Sequence, residues 1–535
     1  MKVINRKIYI ASLFFLGLIC SCTDLDETPH DVLTQDDLGN SPEILQALTA
    51  PVYTSLTNVM FGWHGFFDLQ EECSDVIVTP ARPNGWVDGG TYRAMHMHTW
   101  NSFQSQPGSL WSRVYGALNI LNTSIGTYKS MENVEGLEAL VAELRALRAF
   151  YYYLLLDNFG NVPVVTEDDL TEEDFLPEQS TRAEVFAFIE SELLEVMPIL
   201  SDEKVYGKMN RWAARMVLAK IYLNAGVYIG TTKWDEAIAQ VDDIVTNGGF
   251  TLEANYHSNF IVENENSTEQ IFSIVFDATR SGWFHYPWKT LHPSSGATYD
   301  LGAQPWGGSC AVPQFIDTYD ENDSRLNIWI RGPQFASDGS PIYNVFDPAL
   351  ADVQLNYTKQ IGHIDETKEY EGYRVGKFEI ERGVTGNAIS NDVPFFRYAD
   401  ALMIKAECLL RKGQADAAAE IVTEIRTRAF AADPDKAEVT GAELMQGSKY
   451  NYGTYKNGVM LTTEGGADIQ YGRFLDELGY EFAAEFHRRQ DLIRFGVFTS
   501  KSWLSHIPNG DHRTIFDIPQ SALDANPNLS HNPGY

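Results

Sequence analysis

Two stretches far apart in the chain repeat one spacing of small and large residues: Ala219, Leu223 and Gly226, then Ala406, Leu410 and Gly413. On a helix this spacing keeps all three on roughly one face, where small residues let a neighbouring helix approach and the large one fills the gap. A second amphipathic segment follows each time, Trp234 to Val245 after the first and Ala415 to Ile425 after the second. Two further apolar stripes stand upstream: Leu110, Val114, Leu118, Leu121 and Ile125, then Leu137, Leu140, Leu144, Leu147, Tyr151 and Leu154. Their period is helical. The second stripe runs out at Asn158-Phe159-Gly160, where Gly160 suits the left-handed position after a helix and Pro163 cannot continue one. A chain patterned this way is mostly α, with antiparallel helices joined by short turns.

The repeated spacing resembles tetratricopeptide helix pairs, and it also accommodates two amphipathic hairpins of unrelated origin. Either way these segments form a scaffold. Between them, from about Phe250 to Pro394, the helical stripes vanish. Gly, Pro, Asn, Asp and aromatic residues take over, with short strand-like pieces such as Ile271 to Phe276. Long irregular stretches of this kind carry function more often than they carry stability. The expected organisation is a leader over 1–21, a helical part over 22–250, and a part over 251–535. That last part contains the loop-rich region 251–395 and returning helices over 396–496, and all of it after the leader is expected to form one compact unit.

Lys2, Arg6 and Lys7 lead into the apolar run Ile8 to Ile19, which ends in Cys20-Ser21-Cys22. The run is well short of the roughly twenty residues that span a bilayer as a helix, so it is expected to be cut off as an export signal. Its end resembles the bacterial lipoprotein signal, which makes Cys22 the lipid-bearing first residue of the mature chain. Removing three basic and no acidic residues takes the 40 basic residues to 37 against 73 acidic, a balance of −36. Such a body is not built to hold nucleic acid or to lie along an anionic membrane. The remaining cysteines, Cys73, Cys310 and Cys408, are too scattered for a disulfide framework.

The strongest chemical signal is aromatic. Arg280-Ser-Gly-Trp283-Phe-His285-Tyr286-Pro-Trp288 precedes Gln304-Pro-Trp306-Gly-Gly, and upstream lies Arg82-Pro-Asn-Gly-Trp86-Val-Asp88-Gly-Gly90. None of these runs has a period that would bury its rings on one helix or strand face. Flat rings on extended loops, with carboxylates, amides and guanidinium groups beside them, suit a sugar, which has an apolar C–H face and a rim of hydroxyls. Trp86, Asp88, Trp283, Tyr286, Trp288 and Trp306 are the candidate ligand residues; the competing reading is that the rings pack their own loops down.

Catalytic patterns are weaker. Gly307-Gly-Ser309-Cys-Ala311 misses the nucleophile elbow by its last residue, no pair of carboxylates stands out among 73, and no zinc-protease, phosphate-loop or complete dinucleotide motif is present. His96 and His98 share a face if Met95 to Thr99 is a strand, but with no third ligand, packed histidines are the better reading. Asp317, Asp320, Glu321 and Asp323 read as a capped acidic turn, because Arg325 and Arg331 occupy places where a calcium loop needs Gly and Glu.

Several segments together resemble the SusD/RagB family of outer-membrane nutrient-binding lipoproteins. They are Cys22-Thr-Asp-Leu-Asp, Trp111 to Asn122, Glu143 to Tyr153, Phe159 to Pro163, Phe396 to Glu407, Glu481 to Arg494, Ile518 to Ser521 and Asn526 to Tyr535. Within them Arg148, Glu407, Glu485, Arg489 and Asp491 are expected in partly buried ion pairs and caps. The resemblance implies a tetratricopeptide-like scaffold carrying an irregular ligand surface. It implies a protein that binds an oligosaccharide or polysaccharide without cleaving it, needs no cofactor or metal, and delivers the ligand to a SusC-type TonB-dependent transporter. Trp86 and the Trp283 to Trp306 stretch fall where members often place ring-stacking aromatics. Asp24, Asp26 and Glu27 resemble the surface-export signal, which puts the Cys22-anchored chain on the outer face of the outer membrane. The alternatives are a tetratricopeptide-like protein-interaction scaffold and a surface glycoside hydrolase.

Overall fold

The computed structural model describes residues 42–535 apart from 84–85, 132–133, 172–174 and 281–282. The leader, Cys22 and the acidic residues after it lie outside the described residues.

The helical part contains α1 (Pro42–Phe61), α2 (Phe66–Glu71), α3 (Thr91–His96), α4 (Ser105–Lys129), α5 (Leu137–Phe159), α6 (Arg182–Val196), α7 (Arg211–Leu223) and α8 (Trp234–Asn247). The stripe on α4 is buried throughout. α5 goes further: every residue from Ala146 to Phe159 is buried, so its second half is a central core helix rather than a one-sided one. Gly160 ends it at φ +71°. Side-chain caps fix two of the starts. Thr181 and Glu184 form a reciprocal capping box on α6, and the Asn210 side chain accepts the amides of Trp212 and Ala213 on α7.

Later come the short α9 (Tyr286–Thr290), then α10 (Tyr398–Arg411), α11 (Ala415–Ala429), α12 (Gly472–Phe482), α13 (Arg488–Arg494) and α14 (Gln520–Ala525). The two repeated hairpins meet in space: α7 packs on α8, α8 on α10, and α10 on α11. Ala219 and Ala406 are fully buried at these contacts, as helix pairs of the tetratricopeptide type require. The repeated glycine does not act the same way twice. Gly413 turns the chain at φ +79°, whereas Gly226 lies inside the short helix Ala225–Ile229 beside Thr232.

The loop-rich middle holds only two-stranded pieces, and two of them place the site. β1 (Ile77–Val78) pairs antiparallel with β3 (Cys310–Ala311), and β2 (Gln270–Ile274) pairs antiparallel with β4 (Val393–Arg397). The first pairing sets the chain after Val78 beside the chain before Cys310. The second ties the ends of the loop-rich region to α10. One continuous apolar core runs from Val52 on α1 to Ile518.

The motif charges form buried ion pairs, more deeply buried than the sequence suggests. Arg148 contacts Glu192 and Glu167, Glu407 meets Arg494 at 2.6 Å, Arg489 meets Asp157 at 2.9 Å, and Asp491 meets Arg494 at 2.6 Å. His96 closes a helix and His98 has φ +50°, so Met95 to Thr99 is not the strand that would align them. Both are buried, and no group of three metal-ligating side chains is found among the described residues. In the acidic turn Asp323 accepts the Arg325 amide and pairs with its guanidinium at 2.7 Å, while Asp320 pairs with Lys436 at 2.8 Å.

Candidate functional site

Four indoles converge from four separate chain segments. Trp63 stands at the corner between α1 and α2, Trp86 follows β1, Trp283 precedes α9, and Trp306 precedes β3. Trp63 is the centre. Its ring lies 6.0 Å from Trp283 at an interplanar angle of 29°, 6.4 Å from Trp86 at 33°, and 5.6 Å edge-on from Trp306. Trp306 also meets Trp86 and Trp283, each at 6.2 Å. All four are partly exposed. His285 stacks on Trp283 at 4.1 Å, and burial holds its imidazole down at about 4, so it serves as a neutral ring.

The platform is built from backbone hydrogen bonds and close glycine packing. The Trp306 amide donates to the Trp288 carbonyl at 2.6 Å and the Gly308 amide to the Lys289 carbonyl at 2.7 Å, so α9 carries the 306–308 segment. α9 is anchored below by Lys289 Nζ, 2.5 Å from both Asp68 and Glu72 on or next to α2. The Trp86 ring lies directly over Gly308, where a Cβ would stand 1.6 Å from Trp86 Cζ3. Arg82 reaches from the same loop to the Gly308 carbonyl at 3.0 and 3.2 Å and spans to the carbonyls of Lys368 and Glu371. Burial pulls that guanidinium down to about 9.

Two expected ligand residues are corrected by their surroundings. Trp288 is fully buried with its indole N–H on the Ala303 carbonyl at 2.8 Å, and Tyr286 is buried with its ring 4.4 Å from Phe67. The short helix α9 rolls both inward, so they support the platform and present no face to a ligand.

Asp88 stands at the platform's edge. It is partly exposed, has φ +41°, and is followed by Gly89 and Gly90 at φ +63° and +83°. Three successive left-handed residues turn the Trp86 loop sharply into α3, and only Asp88 among them is strained by its side chain. Its carboxylate meets His64 Nε2 at 2.9 Å, and His64 is itself left-handed at φ +58°. Behind Trp86 a cavity of about 170 Å³ is lined by Thr79, Tyr92, Arg93 and Asp365, the last two paired at 2.5 Å. Apolar faces thus stand beside carboxylates and a guanidinium, an arrangement suited to rings that carry hydroxyls.

Trp63 escaped the sequence reading. Its signal was there, since Gly62-Trp63-His64-Gly65 is another aromatic pair between glycines, but it lies inside the helical part, away from the loop-rich region.

The fold agrees with known proteins. Residues 232–535 match the profile described as SusD family, and residues 25–223 match one described as starch-binding associating with outer membrane. The chain belongs to the SusD family. Among curated relatives it is 24% identical to the starch-binding protein SusD of Bacteroides thetaiotaomicron, over 98% of this chain and 99% of that one. It is also 24% identical to SusD-like protein P25 of Formosa agariphila, over 99% and 98%. Among solved structures, a SusD superfamily protein from Parabacteroides distasonis aligns with a TM-score of 0.71 at 19% identity, covering 92% of this chain and 99% of that one. A laminarin binding SusD-like protein aligns with a TM-score of 0.68 at 21% identity, over 92% and 99%.

Proposed function

We propose that this chain captures a glycan on the indole platform without cleaving it. The observation that carries this reading is the convergence of Trp63, Trp86, Trp283 and Trp306, all partly exposed, on one surface. Indole faces take the C–H faces of sugar rings, and Asp88, Arg93 and Asp365 at the edge take the hydroxyls. Similarity to proteins named for binding starch and laminarin supports a glucan as the ligand class. In the same reading Cys22 carries the lipid, the body hangs from the outer face of the outer membrane, and the ligand passes to a SusC-type TonB-dependent transporter.

The test is affinity electrophoresis of soluble protein starting after Cys22, in gels cast with starch or laminarin, with reducing ends assayed in parallel. Retardation with no release of reducing ends is expected. Released product would overturn the non-catalytic reading, and free migration in both gels would overturn the glucan assignment.

A further inference from the structure

A second surface touches the platform and shares its chemistry. A groove of about 460 Å³ runs along the start of α4, lined by Ser102, Ser105, Ser109, Ser112, Arg113 and Gln520, with Phe103 at its rim. Phe103 is 76% exposed and packs against no other ring among the described residues. Its position is nevertheless fixed. The Asn101 side chain accepts the Phe103 amide at 2.9 Å, the Asn101 carbonyl accepts the Gln104 amide at 2.9 Å, and the Ser102 carbonyl accepts the Gln520 amide at 2.9 Å. An apolar ring presented from a hydrogen-bonded turn is a prepared contact, since the backbone has little ordering entropy left to lose on binding.

Hydrogen bonds tie the groove to the platform. Arg113 lines the groove and donates to the backbone carbonyl of Trp63, the central platform residue, at 2.8 Å. Gln104 Nε2 donates to the Thr91 carbonyl at 3.0 Å and Ser105 Oγ bonds Thr91 Oγ1 at 2.8 Å, and Thr91 follows the Asp88-Gly89-Gly90 turn. Ser105 and Arg113 are about 12 Å apart along α4 at 1.5 Å per residue, more than one sugar ring can span.

The lining also selects a class of ligand. In a chain with 73 acidic residues, none of the described ones lines this groove, and Arg113 is the one charged side chain among its described lining residues. Ser109 and Ser112 have no hydrogen-bond partner within the described residues, so their hydroxyls are unspent. A cation or a basic peptide finds nothing there, whereas a neutral polyhydroxylated chain finds a ring and a row of hydroxyls.

We infer that the ligand site extends from the indole platform into the Phe103 groove, so that the chain recognises long neutral polysaccharide rather than short oligosaccharide. This rests on the glycan reading of the platform. The experiment is calorimetric titration of wild type, Phe103→Ala and Gly108→Leu with maltotriose, laminaritriose, maltoheptaose, laminariheptaose and the parent polysaccharides. Gly108 has open space where its Cβ would stand, and Leu strengthens a helix, so this second variant fills the groove without threatening the fold. Both variants are expected to bind the heptasaccharide or polysaccharide roughly fivefold to tenfold more weakly, as loss of one ring contact predicts, and the trisaccharide within about twofold of wild type. Wild-type affinity for long chains in both variants overturns the groove and leaves the platform standing. Failure of wild type to bind any of these sugars, short or long, overturns the glucan assignment on which this inference rests.

Discussion

The seam between the helical array and the loop-rich region and the indole platform both fix irregular chain with buried charge, and they differ in what they leave exposed. At the seam, Arg397 on β4 and Arg325 and Lys377 in the loops reach charges on and after α12. Arg397 meets Glu485 at 2.6 Å and Glu481 at 3.1 Å, Arg325 meets Glu477 at 3.1 Å, and Lys377 meets Glu485 at 2.5 Å, all of them buried. At the platform the buried Lys289 pairs with Asp68 and Glu72 beneath α9, backbone hydrogen bonds and a close-packed glycine set the rings above it, and those rings stay partly exposed. At the seam buried charge is covered on every side. At the platform it supports indoles that remain open to something else.

That contrast can be broken from either side. The largest effect is expected at the seam: Arg397→Met leaves Glu269, Glu481 and Glu485 buried without their common partner and should cost about 3–5 kcal/mol, read as a fall in the urea midpoint. Trp288→Ala opens a cavity under the platform and should cost a similar ~3–5 kcal/mol. Trp283→Ala, on the partly exposed side of the same segment, should cost about 1–2 kcal/mol of stability, less than Trp288→Ala, and weaken glycan binding roughly tenfold. If Trp283→Ala destabilises as Trp288→Ala does, the division between supporting and ligand-facing rings is wrong. Gly308→Ala tests the packing directly: its methyl must displace Trp86, so binding should fall while the rest of the core holds.

Smaller effects concern pH. His96 and His98 are pushed down to about 3 by burial, and His506, 3.9 Å from His98, is lowered too. The folded chain keeps these rings neutral while the unfolded chain protonates them below its ordinary value of about 6.5. Their contribution is therefore complete above that pH and lost as pH falls toward 3, and His506→Phe should soften the acid limb of a stability profile. Glu71 has the opposite sign. Burial raises its carboxyl to about 8, so its contribution is full below the ordinary carboxylate value and is lost as pH rises through about 8. Glu71→Gln should match wild type in acid and exceed it above pH 8 in urea titrations.

The scaffold was legible because helical burial leaves a period. The stripes on α4 and α5, the Gly160 stop and the Ala219 and Ala406 spacing all carried through to packed helices. Full burial of the second half of α5 was not legible, since Tyr151, Tyr152 and Tyr153 read as amphipathic when their hydroxyls have partners that only tertiary structure supplies. The platform was legible by composition alone. Aromatic runs among Gly, Pro and Asp pointed to Trp86, Trp283 and Trp306, yet nothing local says that α9 turns Tyr286 and Trp288 inward, because that depends on Lys289 finding Asp68 and Glu72 more than two hundred residues earlier. Trp63 was lost for the same reason, being joined to the other rings only by the fold.

Trp63 therefore offers the sharpest test. Calorimetric titration of soluble wild type and a Trp63→Ala/Trp283→Ala double variant, with the polysaccharide that retards the protein in a gel, measures the platform with its centre removed. The expected result is saturable binding by wild type and a loss of roughly a hundredfold in the double variant, with a single cooperative urea transition in both proteins. Equal affinity in the two proteins would contradict the claim that the indole platform is the binding site.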